Sequence, residues 1–202
     1  MTRQLLLASR NTKKLLELRR IADALLPDLQ VLGLDDVPAY DEVPEAGATF
    51  ADNALLKARE AVRHTGLAAV GDDSGLTVDA LNGMPGVFSA RWAGRHGDDR
   101  ANLDLLLGQL ADVPDDRLGA AFVCAAAFVA PSGAEHIVHG EMRGRLVREA
   151  KGDHGFGYDP IFVPDGLDVT AAELSAADKD AISHRGHAFR ELAPLIAHAL
   201  AD

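Results

Sequence analysis

The chain has 202 residues, of which 48% are hydrophobic and 25% are charged. This length and composition suit one soluble globular domain over residues 1–202, with enough apolar side chains for a sizeable core. The formal net charge of -11, from 31 acidic and 20 basic residues, argues against a nucleic-acid-binding surface, which would need a basic stripe.

Cysteine content and apolar runs narrow the class of protein further. Cys124 is the only cysteine, so it cannot form an internal disulfide, and its apolar surroundings predict a small core residue. The apolar run at the start of the chain is too short for a signal peptide, and no stretch approaches the length of a membrane span. We therefore expect a cytoplasmic protein with no membrane partner.

Apolar periodicity predicts helices and strands that alternate in the first half of the chain, with a hairpin in the second half. The predicted helices cover 11–26, 49–64, 98–110 and 184–201. The predicted strands cover 4–8, 29–34, 67–70, 76–81, 117–130, 135–142, 146–149 and 160–163. This order favours an α/β fold with a mixed sheet over a purely parallel one.

The segment Gly71-Asp72-Asp73-Ser74-Gly75 follows the predicted strand over 67–70 and is the strongest local indication of chemistry. Adjacent carboxylates at a strand end repel each other and are costly to desolvate, and a bound cation or a shared proton is the usual compensation. These residue types also favour turns, so a solvated acidic turn at Gly75 is the simpler interpretation of the segment alone.

Cationic side chains come just after the first predicted strand, in Ser9-Arg10-Asn11-Thr12-Lys13-Lys14. Free N–H groups at the start of the following helix favour an anion, and Lys14 adds positive charge. The spacing is not that of a Gly-rich phosphate loop. A capped helix with solvated lysines is therefore the alternative.

Glu45 and Lys57 flank the start of the second predicted helix. Each is an ordinary surface residue unless a ligand recruits it. Mg²⁺ prefers hard oxygen ligands and keeps several waters, so one or two carboxylates suffice. Glu45 with Asp73 would meet that need.

The segment 152–160 combines three glycines with Phe156 and Tyr158. Glycines allow a backbone to approach a ligand closely, and an aromatic face can stack on a base. A tight turn with core-packed aromatics fits the segment equally well.

Three further polar residues, Lys179, His184 and Arg185, surround the start of the last predicted helix. The helix dipole disfavours positive charge there, which indicates an anionic or carbonyl-rich ligand. Solvated side chains at a helix end are the alternative. The histidines show no zinc spacing, and Ser74 is not in a nucleophile elbow.

Taken together in chain order, these segments resemble the inosine triphosphate pyrophosphatase family, which acts on non-standard purine nucleoside triphosphates. The matching motifs are Ser9-x-Asn11-x-x-Lys14, Thr49-Phe50-x-x-Asn53-Ala54-x-x-Lys57-Ala58, Asp72-Asp73-Ser74-Gly75-Leu76, Pro85-Gly86-x-x-Ser89-Ala90-Arg91, Gly155-Phe156-Gly157-Tyr158-Asp159-Pro160, and Ala172-Glu173-Leu174 through Lys179 to Ser183-His184-Arg185.

The resemblance implies an elongated mixed β-sheet flanked by helices, two lobes with a nucleotide cleft between them, and a homodimer. It implies the reaction NTP + H₂O → NMP + PPi with Mg²⁺. Asp73 would be the general base, and Glu45 and Asp73 the metal ligands. The triphosphate would contact Ser9, Arg10, Asn11, Thr12, Lys13, Lys14, Lys57 and Ser74. The base and sugar-phosphate would contact Phe156, Gly157, Tyr158, Asp159, Lys179, His184 and Arg185.

Donor groups on His184 and Arg185 would account for selectivity for 6-keto purines over adenine in such an enzyme. Hypoxanthine and xanthine carry a 6-keto acceptor where adenine carries an amino donor, so adenine would leave buried donors unpaired. Two other functions remain open: a nucleotide-binding sensor without turnover, and a pyrophosphatase for modified pyrimidine nucleotides.

Overall fold

A computed structural model describes residues 3–41 and 43–200. The strands are β1 (Arg3–Leu7), β2 (Leu29–Leu32), β3 (Ala69–Val78), β4 (Gly119–Val129), β5 (Glu135–Leu146) and β6 (Phe162–Pro164). The helices are α1 (Thr12–Leu25), α2 (Phe50–Thr65), α3 (Asp99–Gln109), α4 (Ala176–Ile182) and α5 (His184–Ala199). None of these helices is long and apolar enough to cross a membrane.

The strands form one six-stranded sheet in the order β2-β1-β3-β4-β5-β6. Strand β1 is parallel to β2, with Leu5 opposite Val31, and parallel to β3, with Leu6 opposite Ala69. Strands β5 and β6 are antiparallel. The predicted α/β fold with a mixed sheet is therefore confirmed.

Two compact units make up the described chain. The first unit takes its residues from Met1–Asp73, Cys124–Gly140 and Arg185–Asp202, and the second from Ser74–Val123 and Glu141–His184. Each has its own apolar core. Leu5, Val70, Phe128 and Leu192 lie in the first core, and Leu76, Leu106, Phe122 and Phe162 lie in the second. Cys124 is buried in the first core, as predicted.

Helix α2 begins and ends at the predicted signals. The hydroxyl of Thr49 accepts from the Asp52 N–H at 3.1 Å, and the Asp52 carboxylate accepts from the Thr49 N–H at 3.0 Å. This reciprocal pair is a capping box. Gly66 closes the helix with a φ of 69°, in the left-handed region that favours glycine.

The predicted turn at Gly75 is wrong, because β3 continues through residues 71–75 to Val78. The glycines of this segment serve close packing instead. A Cβ at Gly71 would meet the Ala54 carbonyl of α2, and a Cβ at Gly75 would meet the Ser89 hydroxyl. Extended backbone is possible because the two acids find partners inside the fold, described below.

Smaller differences from prediction concern the second unit. Strand β5 runs on to Leu146, and residues 147–149 leave the sheet instead of forming a separate strand. The predicted strand over 76–81 is the end of β3 followed by a 3-10 turn. Helix α4 was not predicted because it has only seven residues, too few for a clear apolar period. Ser175 caps it by accepting from the Asp178 N–H at 3.1 Å.

Candidate active site

Four charged side chains of the first unit, one of them Asp72, form a buried cluster. Lys14 Nζ lies 3.0 Å from Asp72 Oδ2, and the Arg185 Nε donates to the same oxygen at 3.1 Å. The Arg185 Nη1 donates to Glu17 Oε2 at 2.5 Å. Asp72 is 1% exposed and Arg185 is 2% exposed. The cluster thus pairs two acids with two bases in a nearly dry environment.

Electrostatic interactions in this cluster keep Asp72 and Arg185 ionised. Burial acts to raise the pKa of Asp72, but Lys14, followed by Arg185 and Lys57, holds it well below its usual range. Burial acts to lower the pKa of Arg185, and Glu17 and Asp72 outweigh that effect and raise it. Asp72 is therefore a fixed negative charge rather than a proton acceptor.

Asp73, the next residue of β3, belongs to a second cluster in the same unit. Lys57 of α2 places its Nζ 3.4 Å from Asp73 Oδ1, 2.5 Å from Glu45 Oε1 and 3.1 Å from the Asp72 carbonyl oxygen. The Asn53 Nδ2 donates to Asp73 Oδ2 at 3.0 Å. Glu45 and Asp73 therefore lie against a single cation.

Burial dominates the ionisation of Asp73. It raises the pKa of Asp73, and Lys57, the Asn53 hydrogen bond and Lys14 offset only part of the effect. For Lys57, burial acts to lower the pKa, but Asp73, Asp72 and Glu45 together raise it. The site thus holds a carboxylate with an increased affinity for a proton beside a stably charged ammonium.

The two carboxylates that contact Lys57, those of Glu45 and Asp73, could hold a magnesium ion. Within the described ranges no group of three or more His, Cys, Asp or Glu side chains comes together as a metal site. Mg²⁺ needs no such group, because it accepts one or two carboxylates and takes its other oxygens from water and substrate phosphates. Glu45 and Asp73 supply hard oxygen donors of the required kind.

The segment 9–14 joins β1 to α1 and begins the helix with a side-chain cap. Asn11 Oδ1 accepts from the N–H groups of Lys13 and Lys14 at 3.0 Å and 3.2 Å. The Asn11 N–H in turn donates to the Ser9 hydroxyl at 3.2 Å. Thr12 and Lys13 are exposed. The capped-helix alternative holds for Asn11, whereas Lys14 is not a solvated lysine because it pairs with Asp72.

The second unit contains the glycine-rich loop and Lys179. Lys179 Nζ lies 2.5 Å from Asp159 Oδ2 and 5.3 Å from the centre of the Phe156 ring. The Phe156 N–H donates to Asp159 Oδ2 at 2.8 Å, and the Gly157 N–H donates to Asp99 Oδ2 at 3.0 Å. Phe156 is thus half-buried against a lysine on a loop held by two acids.

Core packing and hydrogen bonding hold Tyr158 in this unit, and ring stacking holds His184. The Tyr158 ring packs in the second core, and its hydroxyl donates to the Ser89 carbonyl at 2.9 Å. The core-packed interpretation is therefore right for Tyr158. His184 is buried and stacks on Phe122, with ring centres 5.1 Å apart. Ser74 is half-buried on β3.

Protein carboxylates pair with two of the three predicted cations near the last helix, so their position at a helix start does not by itself indicate a ligand. Arg185 bonds Asp72 and Glu17, and Lys179 pairs with Asp159. Lys179 also lies in the last turn of α4, where the helix dipole favours a cation.

Three residues that hold the candidate side chains were missed in the sequence: Glu17, Asn53 and Asp99. Glu17 had a local signal, since an acid on the apolar face of α1 three residues after Lys14 is unusual. Asn53 stood in the motif over 49–58 without a role of its own, and Asp99 looked like an ordinary residue of a first helical turn.

Comparison with known proteins matches this chain to one family over most of its length. The model of the Ham1 family matches residues 5–195. A protein of Nocardia farcinica named dITP/XTP pyrophosphatase is 64% identical over 200 residues, which cover 98% of this chain and 97% of that protein. A protein of Streptomyces coelicolor with the same name is 57% identical over 201 residues, 99% of this chain and all of that protein.

Solved structures are similar in fold as well. A nucleoside-triphosphatase, dITP/XTP pyrophosphatase, of Mycobacterium abscessus superposes with a TM-score of 0.76 at 60% identity, covering 94% of this chain and 98% of that one. The Ham1 protein of Staphylococcus aureus gives a TM-score of 0.85 at 36% identity, covering 98% and 100%.

Proposed function

Because this chain belongs to the Ham1 family, we propose that it hydrolyses the non-standard purine nucleoside triphosphates dITP, XTP and ITP to the monophosphate and pyrophosphate. The names of its relatives support the substrate class. The observation that carries the reaction is Asp73, a buried carboxylate whose pKa is raised by burial and which shares Lys57 with Glu45.

We propose that Asp73 is the general base. Its carboxylate takes a proton from a water molecule as the water oxygen bonds to the α-phosphorus. The bond from the α-phosphorus to the bridging oxygen then breaks, and pyrophosphate leaves with that electron pair. A positioned base typically contributes about 10²- to 10⁴-fold to a rate. The rest of the acceleration comes from positioning and charge neutralisation, as in phosphoryl transfer generally.

Glu45 and Asp73 would hold Mg²⁺, which supplies charge neutralisation on the phosphate oxygens when it is bound. Lys57 lies against both acids and provides a second positive charge for the polyphosphate. We propose that the polyphosphate of the substrate contacts Ser9, Arg10, Asn11, Thr12, Lys13, Lys14, Lys57 and Ser74. Lys14 is held by Asp72 at 3.0 Å, which limits the freedom that it would lose on binding.

We propose that Phe156, Gly157, Tyr158, Asp159, Lys179, His184 and Arg185 contact the base and sugar-phosphate. Phe156 would supply a ring for stacking, whereas Tyr158 would act through its backbone because its ring is in the core. Two nitrogens of Arg185 donate to Asp72 and Glu17, which fixes the guanidinium in place. We propose that His184 and Arg185 donate to the 6-keto oxygen of the base.

We also propose a cytoplasmic homodimer with no nucleic-acid partner. The net charge of -11 supports the absence of nucleic-acid binding. The dimer rests on the family resemblance, and light scattering on the purified protein measures it directly. A monomer mass at micromolar concentration contradicts it.

Pyrophosphate release from a panel of nucleoside triphosphates, with and without Mg²⁺, tests the function. We expect release from ITP, dITP and XTP, far slower release from ATP, and dependence on the metal. Orthophosphate as the direct product contradicts the proposal in favour of a phosphatase. Binding of ITP without product in a single turnover indicates a sensor, and a preference for modified pyrimidines indicates the third function.

A further inference from the structure

Asn53 of α2 makes two hydrogen bonds in the interior of the first unit. It is 0% exposed. Its Nδ2 donates to Asp73 Oδ2 at 3.0 Å, and its Oδ1 accepts from the Gly47 N–H at 2.8 Å. A fully buried amide joined to one candidate metal ligand and to the loop of the other is well placed to orient both.

The partners of Asn53 dictate which way its amide faces. A backbone N–H can only donate and an ionised carboxylate can only accept, so the amide oxygen must face Gly47 and the amide nitrogen must face Asp73. In a flipped amide, the oxygen would face the Asp73 carboxylate, which is also an acceptor, and the nitrogen would face the Gly47 N–H, which is also a donor. Asp73 Oδ2 is therefore occupied by Asn53, and Oδ1 is the oxygen that faces Lys57 at 3.4 Å.

The bond to Gly47 also ties down the loop that carries Glu45. Gly47 comes two residues after Glu45, whose Oε1 lies 2.5 Å from Lys57 Nζ. A Cβ at Gly47 would lie 2.6 Å from Asn53 Oδ1 and 2.6 Å from the Asp52 Cβ. The loop can therefore come this close to α2 only because residue 47 is glycine.

We infer that Asn53 is a positioning residue. It holds Asp73 with Oδ1 towards Lys57 and, through its bond to Gly47, brings Glu45 to the same lysine. This inference rests on the proposed function, in which both carboxylates hold the metal. Asn53 acts through these carboxylates, since its own side-chain bonds are to Asp73 and to the Gly47 N–H. Outer partners of metal-binding carboxylates commonly change metal affinity or activity by about 10- to 100-fold.

Two variants separate positioning from a simple tether. Asn53→Ala removes both hydrogen bonds. Asn53→Asp keeps the shape and an acceptor for the Gly47 N–H, but replaces the donor to Asp73 with an oxygen. We expect both variants to lose kcat for ITP by about 10- to 100-fold with KM within about threefold of the parent. An Asn53→Asp variant with the parent kcat overturns the inference, because a tether alone would then suffice.

Binding of Mn²⁺ alone, followed by electron paramagnetic resonance without nucleotide, gives a readout independent of turnover. Asn53→Ala is expected to weaken Mn²⁺ binding by about 10-fold or more. The matched control is Asn102→Ala in α3, which also removes a buried amide with two bonds, to the Ala93 N–H and the Ala90 carbonyl. This control should lose stability but keep Mn²⁺ affinity.

The outcomes distinguish this inference from the function on which it rests. Parent-like Mn²⁺ affinity and kcat in Asn53→Ala contradict the role of Asn53 while leaving the function intact. A parent protein that releases no pyrophosphate contradicts the function, and the Mn²⁺ comparison then still tests Asn53. If circular dichroism finds Asn53→Ala unfolded, the isosteric Asn53→Asp decides by its kcat.

Discussion

Asp72 and Asp73 are adjacent on β3, yet the pKa values of their carboxyl groups are shifted in opposite directions. Lys14, Arg185 and Lys57 overcome burial and lower the pKa of Asp72, whereas burial prevails over Lys57 and Asn53 and raises the pKa of Asp73. Paired acids whose environments push their pKa values apart take different roles. Asp72 holds cations in place, and Asp73 is the acid suited to accept a proton.

Asp73→Asn should lose turnover while keeping most of the affinity for ITP. The amide retains the size of the carboxylate but cannot take a proton from water, so we expect kcat to fall by about 10²- to 10⁴-fold. Pyrophosphate release at saturating ITP measures kcat, and equilibrium binding measures affinity. Asp79→Asn, an exposed partner of Arg143 after the end of β3, is the control. A rate within a few-fold of the parent removes Asp73 as the base.

Glu17→Ala should destabilise the first unit, because it leaves the buried Arg185 without one of its two acids. Breaking a buried ion pair on one side costs about 3–5 kcal/mol. Denaturant unfolding followed by circular dichroism measures the loss. Arg100→Ala, which removes the exposed pair with Asp104, should leave the midpoint unchanged. Equal midpoints for the two variants would show that the buried cluster contributes nothing.

Gly71→Ala and Gly108→Ala should move stability in opposite directions. A Cβ at Gly71 meets the Ala54 carbonyl and the Ala58 nitrogen of α2, and such overpacking costs about 1–3 kcal/mol. A Cβ at Gly108 in α3 meets nothing within 4 Å, so alanine should stabilise by about 0.5–1 kcal/mol. The two unfolding midpoints check this, and a stabilised Gly71→Ala contradicts the close packing of β3 on α2.

Cys124 should be unreactive towards thiol reagents in the native protein. Burial, with a smaller contribution from Asp72, raises the pKa of the Cys124 thiol to about 12. The reactive thiolate is therefore scarce at pH 8, and the buried sulfur is also inaccessible. Mass spectrometry after iodoacetamide should find no adduct in buffer and complete modification in denaturant. Rapid native modification would place the thiol at the surface.

Asp99→Ala should weaken the loop that carries Phe156. The Gly157 N–H loses its bond to Asp99 Oδ2, and we expect KM for ITP to rise by about 10-fold, the equivalent of one hydrogen bond to a charged group. Asp99→Asn keeps an acceptor and should restore most of the affinity. Identical KM values for all three proteins would separate this loop from substrate binding.

Local features of the chain were predictable because they depend on residues a few positions apart. The capping box at Thr49, the end of α2 at Gly66 and the core position of Cys124 all follow from short-range pattern and were confirmed. The family was recognisable for a different reason, since six motifs recur in order along one chain.

The tertiary structure alone decided which charges meet. Arg185 reaches Asp72 across 113 positions, and Lys57 of α2 reaches Asp73 of β3. No local pattern separates two neighbouring aspartates, because their difference lies in burial and in cations supplied by distant segments. The same long-range pairing removes the need for a turn at Gly75, since acids that find partners inside the fold let the strand continue.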